Sequence, residues 1–373
     1  MDTLPPLSAL PSGGRLTVDL SALVGNWRTI RSRVGAAEAA AVVKGDAYGI
    51  GLEPAARALH AAGCRTFFVA LPRGGVRLRA VLPDAVIYVL NGFFDGAGPV
   101  YTAARLRPVL GSRAEVDAWL AETGGSGEPA AIHVDTGMNR LGLTRDEAVA
   151  VAADAGLLAR LRPALVMSHL ACADAPGHPL TAEQIRRFTE VRALFPGVPG
   201  SLSNSAGVDL GPEVHHDLVR PGIALYGARW AADRPPLEPV ATLEGRLIQV
   251  NEVPAGAAVG YGAAFRAERP SRIGIVSVGY ADGYLRRAGA SDAGPGASAA
   301  IGGMRVPLAG RVSMDMLAVD LTDAPAELCR RGGWVELFGR TVPVDEVAGH
   351  AGTIGWELLT GIGDRYERRY VGG

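Results

Sequence analysis

Eight short, continuously apolar runs, spaced by Ala-rich amphipathic stretches between Arg15 and about Trp230, restrict the fold of this chain more than any other feature. The runs are AAAVVK, TFFVAL, AVIYVL, PVLG, AAIHVDTG, ALVMSHL, PGSLSNSAG and LVRPGIALYG, with EPAARALHAAG and RGGVRLRAVL among the intervening segments. A strand that is apolar on both faces belongs in a parallel sheet covered on both sides, because crossover helices shield each face from water. Eight such strands suffice to close a (β/α)8 barrel of roughly 200–250 residues. Polar and glycine-rich residues follow the runs directly, where barrels of this kind keep their chemistry.

Beyond AADRPPLEPV the pattern changes to short alternating runs, ATLEGRLIQVNEV, RIGIVSVGY, AAIGGMRVPLAG, MLAVDL and WVELFG. Alternation with frequent turn residues indicates an all-β domain of about 130 residues. The expected architecture is therefore α/β plus all-β: a leader over 1–13, a TIM-like barrel over 14–235 and a C-terminal β-domain over 236–373. The segment GASDAGPGASAAIGG reads as a surface loop.

A formal net charge of -1 gives no electrostatic footprint for nucleic acid or an anionic membrane. The three cysteines, Cys64, Cys172 and Cys329, are scattered, which suits a reducing compartment and forms no clustered metal motif. The N-terminus lacks a cationic start followed by an apolar core, and no apolar run is long enough to span a bilayer. A cytoplasmic protein is expected.

Of 37 basic residues, 36 are arginine and one is Lys44. Arginine cannot replace lysine where the chemistry needs a deprotonated primary amine. In AVVKGDAYGIG, Lys44 ends an apolar strand just before a glycine-rich turn that carries Tyr48. A strand end at a barrel mouth desolvates the ammonium and makes the neutral amine available for imine chemistry.

Late in the barrel, SNSAG (203–207) and RPGIALYG (220–227) supply hydroxyls, backbone N–H groups and glycines suited to a phosphate. Gly222 permits close approach of the chain to an anion, while Ser205 and Tyr48 donate hydroxyl bonds. HVDTGMNRLG (133–142) and MSHL (167–170) place Asp135, Arg140 and His169 at strand ends. On spacing alone these suit a metal-dependent hydrolase as well as a cofactor enzyme. VGYGAAF (259–265), VGYADGY (278–284) and RVSMDM (311–316) set aromatic and polar groups among glycines in the β-domain.

Taken in order, VVKGDAYGIG, HVDTGMNRLGL, MSHLACAD, SNSAG, LVRPGIALYG, VGYGAAF, VGYADGY and GRVSMD resemble alanine racemase from about residue 16 to 371. The resemblance implies a pyridoxal 5'-phosphate (PLP) enzyme that interconverts L- and D-alanine and supplies D-alanine for peptidoglycan. It implies that Lys44 bonds PLP and acts as one base, and that Tyr261 is the opposite base. Arg220 would face the pyridine nitrogen, with His169 beside the ring. Tyr48, Asn204, Ser205, Gly222, Ile223 and Trp356 would hold the cofactor. Arg140 would serve both the phenolic oxygen and the substrate carboxylate, with the Met314 backbone as a second carboxylate contact. Tyr280 and Asp315 would line the substrate passage. A homodimer with shared active sites is implied, Tyr261 acting in the other subunit's site.

Four positions depart from the family's commonest pattern. His133 stands where many members carry a lysine, carbamylated to orient the Arg140 equivalent, and this chain has no second lysine. Trp356 replaces a usual tyrosine, Ile50 a histidine and Gly45 an alanine. A racemase of broader amino-acid specificity, a barrel-type PLP decarboxylase and a PLP carrier are the competing readings. Tyr261 in VGYGAAF disfavours the last two.

Overall fold

The computed structural model describes residues 11–125, 127–175, 177–231, 234–291 and 294–373. Most of the expected leader, residues 1–10, lies outside them, as do parts of AADRPPLEPV and of the GASDAGPGASAAIGG segment.

Two compact units emerge, one of residues up to Ala22 together with Glu238–Gly373, the other Leu23–Leu237. In the second unit, seven parallel strands run in sequence order: Ala41–Val42, Thr66–Val69, Val86–Val89, Arg107–Leu110, Ala131–His133, Leu165–Met167 and Gly200–Ser201. The eighth strand, Leu218–Val219, pairs in parallel with Glu38–Ala39, immediately upstream of the first. Backbone bonds from Asp217 N–H to Gly200 O (3.0 Å) and from Arg220 N–H to Ser203 O (2.9 Å) join it to the seventh strand. The ring is thereby closed, and each of the eight expected runs contributes its strand. Strands such as Thr66–Val69 are buried along their whole length, as continuous apolarity requires. EPAARALHAAG and RGGVRLRAVL contribute the helices Leu52–Ala61 and Pro72–Val81.

The other unit is built on the long strand Ala241–Val253, whose burial alternates along its first half. It pairs antiparallel with Gly14–Asp19, Ser271–Val276 and Trp334–Phe338. Gly14–Asp19 also pairs in parallel with Glu367–Val371. The expected boundary at residue 14 thus differs from the structure: the first strand belongs to the β unit. Its alternation, buried then half-buried, is that of a one-faced sheet and not of a barrel strand. The unit is also not wholly β, since it contains the helices Val344–Ala351 and Gly355–Thr360. Among the described residues, no helix is long and apolar enough to cross a membrane.

Candidate active site

The barrel residues expected to hold cofactor or substrate lie beyond the C-terminal ends of parallel strands. Lys44 follows Ala41–Val42, Arg140 follows Ala131–His133, and His169 follows Leu165–Met167. Ser205 follows Gly200–Ser201, and Arg220 and Gly222 follow Leu218–Val219. Parallel strands in a closed ring bring all these ends to one face.

The turn after Lys44 is left-handed, with φ of 62° at Gly45, 56° at Asp46, 53° at Ala47 and 53° at Tyr48. Left-handed backbone costs about 1–2 kcal/mol for each residue with a Cβ, so the turn persists only because its surroundings fix it. Ala47 N–H donates to Val43 O (3.0 Å), and Gly49 N–H to Gly45 O (2.8 Å). The Asp46 carboxylate accepts from Leu52 N–H (3.2 Å) and pairs with Arg77 (2.9 Å). The turn swings the Tyr48 ring back against Gly222, where any Cβ would overlap the Tyr48 hydroxyl. Tyr48 stacks on Tyr226 with centroids 4.4 Å apart. Burial pushes the Tyr48 phenol up, so it stays protonated and able to donate.

Ser205 Oγ accepts from Gly222 N–H (2.9 Å) and Ala224 N–H (3.3 Å), leaving its own hydrogen free to donate. Ile223 opens the short turn Ile223–Tyr226 and is buried. Asn204 has a local role, its side-chain oxygen accepting from Gly207 N–H (2.9 Å).

Lys44 is solvent-accessible at residue level, yet partial desolvation of its ammonium, followed by the charge of Arg140, lowers its pKa. Arg140 sits on a loop stapled at its base by Asp135 N–H to Leu143 O (2.9 Å) and Leu143 N–H to His133 O (2.8 Å). Inside the loop, the Asp135 carboxylate accepts from the N–H groups of Gly137, Met138 and Asn139, each at 2.9 Å. Asp135 therefore shapes the loop that presents Arg140. Among the described residues no group of three His, Cys, Asp or Glu side chains is arranged to hold a metal ion. The loop runs into the capping box of Thr144 and Glu147, which fixes its far end.

Arg220 is 3% exposed. Its guanidinium donates to Ser168 O (2.7 Å) and to Ser201 Oγ, and its Nη2 lies 3.4 Å from His169 Nδ1. Burial lowers its pKa to about 9, which still leaves it cationic at neutral pH. His169 is held well below the usual imidazole value by burial first, then by Arg220, Arg140, His133 and Lys44. His133, 8% exposed, is lowered to about 4 by burial, opposed by Asp135 and reinforced by Arg220 and Arg140. Both imidazoles are neutral at pH 7.

The remaining candidates lie in the β unit. Tyr261 occupies the turn Tyr261–Ala263 between the paired strands Ala258–Val259 and Phe265–Arg266, and is 70% exposed. Tyr280 and Met314 are held by two backbone bonds, Tyr280 N–H to Ser313 O (3.0 Å) and Ala281 N–H to Met314 O (2.9 Å). Arg365 joins this pair of loops, bonding Asp282 (2.8 Å) and Asp315 (2.9 Å). Trp356 is half-buried in the helix Gly355–Thr360.

Sequence reading missed Ser168, Ser201, Thr136 and Gln184, which tie the barrel-mouth loops together. Their only signal is that they are polar residues beside apolar strands or on a buried helix face.

The family model "Alanine racemase, N-terminal domain" matches residues 18–230, and "Alanine racemase, C-terminal domain" matches residues 240–370. An alanine racemase from Methylobacterium nodulans is 50% identical over 97% of this chain and 97% of its own length. A biosynthetic alanine racemase from Agrobacterium fabrum is 49% identical over 96% of this chain and 93% of its own length. The crystal structure of alanine racemase from Bartonella henselae, with covalently bound pyridoxal phosphate, superposes with a TM-score of 0.89 at 37% identity. That match covers 97% of this chain and all of the other.

Proposed function

The chain belongs to the alanine racemase family, and from that premise we propose that it interconverts L- and D-alanine with PLP held on Lys44, two residues exchanging the α-proton on opposite faces. The observation that carries this reading is the Lys44 amine, biased toward its neutral form at a barrel mouth that also gathers Arg140, His169 and Arg220.

The residues present fit the cofactor. Because Gly222 has no side chain, the Tyr48 hydroxyl lies against its backbone in the place a Cβ would take. Ser205 retains a free hydroxyl hydrogen, and the amide of Ile223 opens a turn, where N–H groups favour an anion. Tyr48, Asn204, Ser205, Gly222, Ile223 and Trp356 are assigned to holding PLP. When bound to the substrate amine, PLP withdraws electrons from the α-carbon and acidifies its proton.

Lys44 Nζ takes or returns that proton on one face. Tyr261 Oη does so on the other, contributed by the β unit of a second copy in a homodimer; at 70% exposed, its side chain is accessible to such a partner. Arg140 and the Met314 backbone hold the carboxylate, and Tyr280 and Asp315 line the approach. With the cofactor bound, Arg220, cationic, would sit by the pyridine nitrogen and disfavour a proton there, and the neutral His169 would link it toward the reacting face. The D-alanine formed serves peptidoglycan synthesis in the cytoplasm.

Borohydride reduction of the PLP-loaded protein followed by peptide mapping tests the assignment: the adduct is expected on the peptide containing Lys44, and its absence there overturns the reading. Side-by-side assay of alanine, serine, lysine and arginine tests the substrate, with negligible turnover of alanine decisive against it.

A further inference from the structure

The helix Pro179–Ala193 buries a primary amide, Gln184, at 0% exposure. Burying such a group is costly unless its bonds are made, and here they reach two separate loops. Its Oε1 accepts from Ala171 N–H (2.8 Å) and its Nε2 donates to His169 O (2.8 Å), both on the loop beyond Leu165–Met167. The same Nε2 donates to Thr136 Oγ1 (3.3 Å), on the loop that carries Arg140. Flipping the amide would set oxygen against the His169 carbonyl and N–H against the Ala171 N–H, so its orientation is determined.

Thr136 Oγ1, which accepts from Gln184, also shares a hydroxyl–hydroxyl hydrogen bond with Ser168 Oγ (2.8 Å). The Ser168 carbonyl in turn accepts from Arg220 (2.7 Å). A continuous path thus runs from Gln184 through Thr136 and Ser168 to Arg220, and His169 hangs from both ends of it. Arg140 has no hydrogen-bonded or ion-paired side-chain partner among the described residues, and with one lysine in the chain no lysine-derived group can supply one.

We propose that Gln184 is a positioning residue that sets the separation between the Arg140 loop and the His169–Arg220 pair, orienting Arg140 through its backbone platform. The proposal rests on the assignment of the barrel mouth as the active site.

The test uses the PLP-loaded full chain with Gln184→Met, which keeps the shape and removes the bonds, Thr136→Val, the double variant, and Thr136→Ser, which keeps the hydroxyl. Alanine KM and kcat, the thermal midpoint, and the dissociation constant of propionate, read from the cofactor's visible absorption, are measured for each. Members of one network couple non-additively, so each single variant is expected to raise KM and the propionate constant about ten-fold, and the double variant no more than the worse single. Thr136→Ser is expected to match wild type. A lowered midpoint with KM and propionate binding unchanged overturns the proposal, as do single effects that multiply. Should Gln184→Met fail to fold, the threonine pair decides alone: equal behaviour of Val and Ser overturns it. Propionate binding that survives Arg140→Ala would instead overturn the site assignment itself.

Discussion

Arg220 Nη2 lies 3.4 Å from His169 Nδ1 while the same nitrogen donates to the carbonyl of Ser168, the residue before that histidine. One buried guanidinium therefore fixes both the backbone and the ring of the His169 loop. Its own position is set by Ser201, whose hydroxyl accepts from Nη1 and donates to Leu218 O.

Replacing Arg220 by Met should leave the Ser168 carbonyl and Ser201 hydroxyl without their donor in a site closed to water. Stability is expected to fall by about 2–4 kcal/mol, the usual cost of breaking a buried charged network. Urea unfolding with and without the substitution measures it. A loss within experimental error would mean that the two acceptors find other partners.

His133 gives the fold a particular acid sensitivity. An unfolded histidine takes up its proton near 6.5, whereas the folded His133 does so only near about 4. Between these values the unfolded state binds the extra proton, so stability is fully present above pH 6.5 and declines as the pH falls toward 4, by at most about 1.4 kcal/mol per pH unit. His169, also lowered, acts in the same direction. His133→Asn should flatten the acid limb of the stability profile by one proton's slope. An unchanged limb would show that His133 does not carry the effect.

Gly222→Ala tests the cofactor cradle. A methyl group there overlaps the Tyr48 hydroxyl, and the ring, stacked on Tyr226, has little room to withdraw. PLP affinity is expected to drop at least about ten-fold, since displacing one well-placed donor costs roughly 1.4 kcal/mol or more. Titration of the apoprotein with PLP reads it directly, and wild-type affinity would remove Tyr48 from the cradle.

Barrel and site were legible to different depths, for physical reasons. Continuous apolar runs mark strands buried on both faces, and the chemistry-bearing residues sit at their ends, so eight strands and the Lys44, Arg140 and His169 positions followed from local pattern, whereas Arg220 was marked out only by the family resemblance. The partner of Gly14–Asp19 did not, because its ladder with Ala241–Val253 is decided more than 200 residues away. The helix Val344–Ala351 was missed: its Val344, Val347, Ala348 and Ala351 are buried at helical spacing, but it lies within a stretch dominated by turns, which the alternating pattern read as all-β. The left-handed turn at Gly45–Tyr48 left only its glycines as a trace. Gln184 and Thr136 left only their polarity, because a buried polar network is recognisable only once its members are brought together.

The exposure of Tyr261 leads to the most demanding prediction. If Tyr261 serves the partner's site, Lys44→Ala and Tyr261→Phe chains are each inactive alone but complementary when mixed. In a heterodimer one site receives both substituted residues and the other receives native Lys44 and native Tyr261. Random assortment makes half the dimers heterodimers with one working site each, so co-expression should restore about a quarter of wild-type racemase activity. Two bases acting within one chain would give no restoration, since every site would lack one of them. In the Tyr261→Phe homodimer, Lys44 still reaches its own face of the substrate. Exchange of the α-proton with deuterated water should therefore persist for one enantiomer of alanine while interconversion stops, and full racemisation by this variant would remove Tyr261 as the second base.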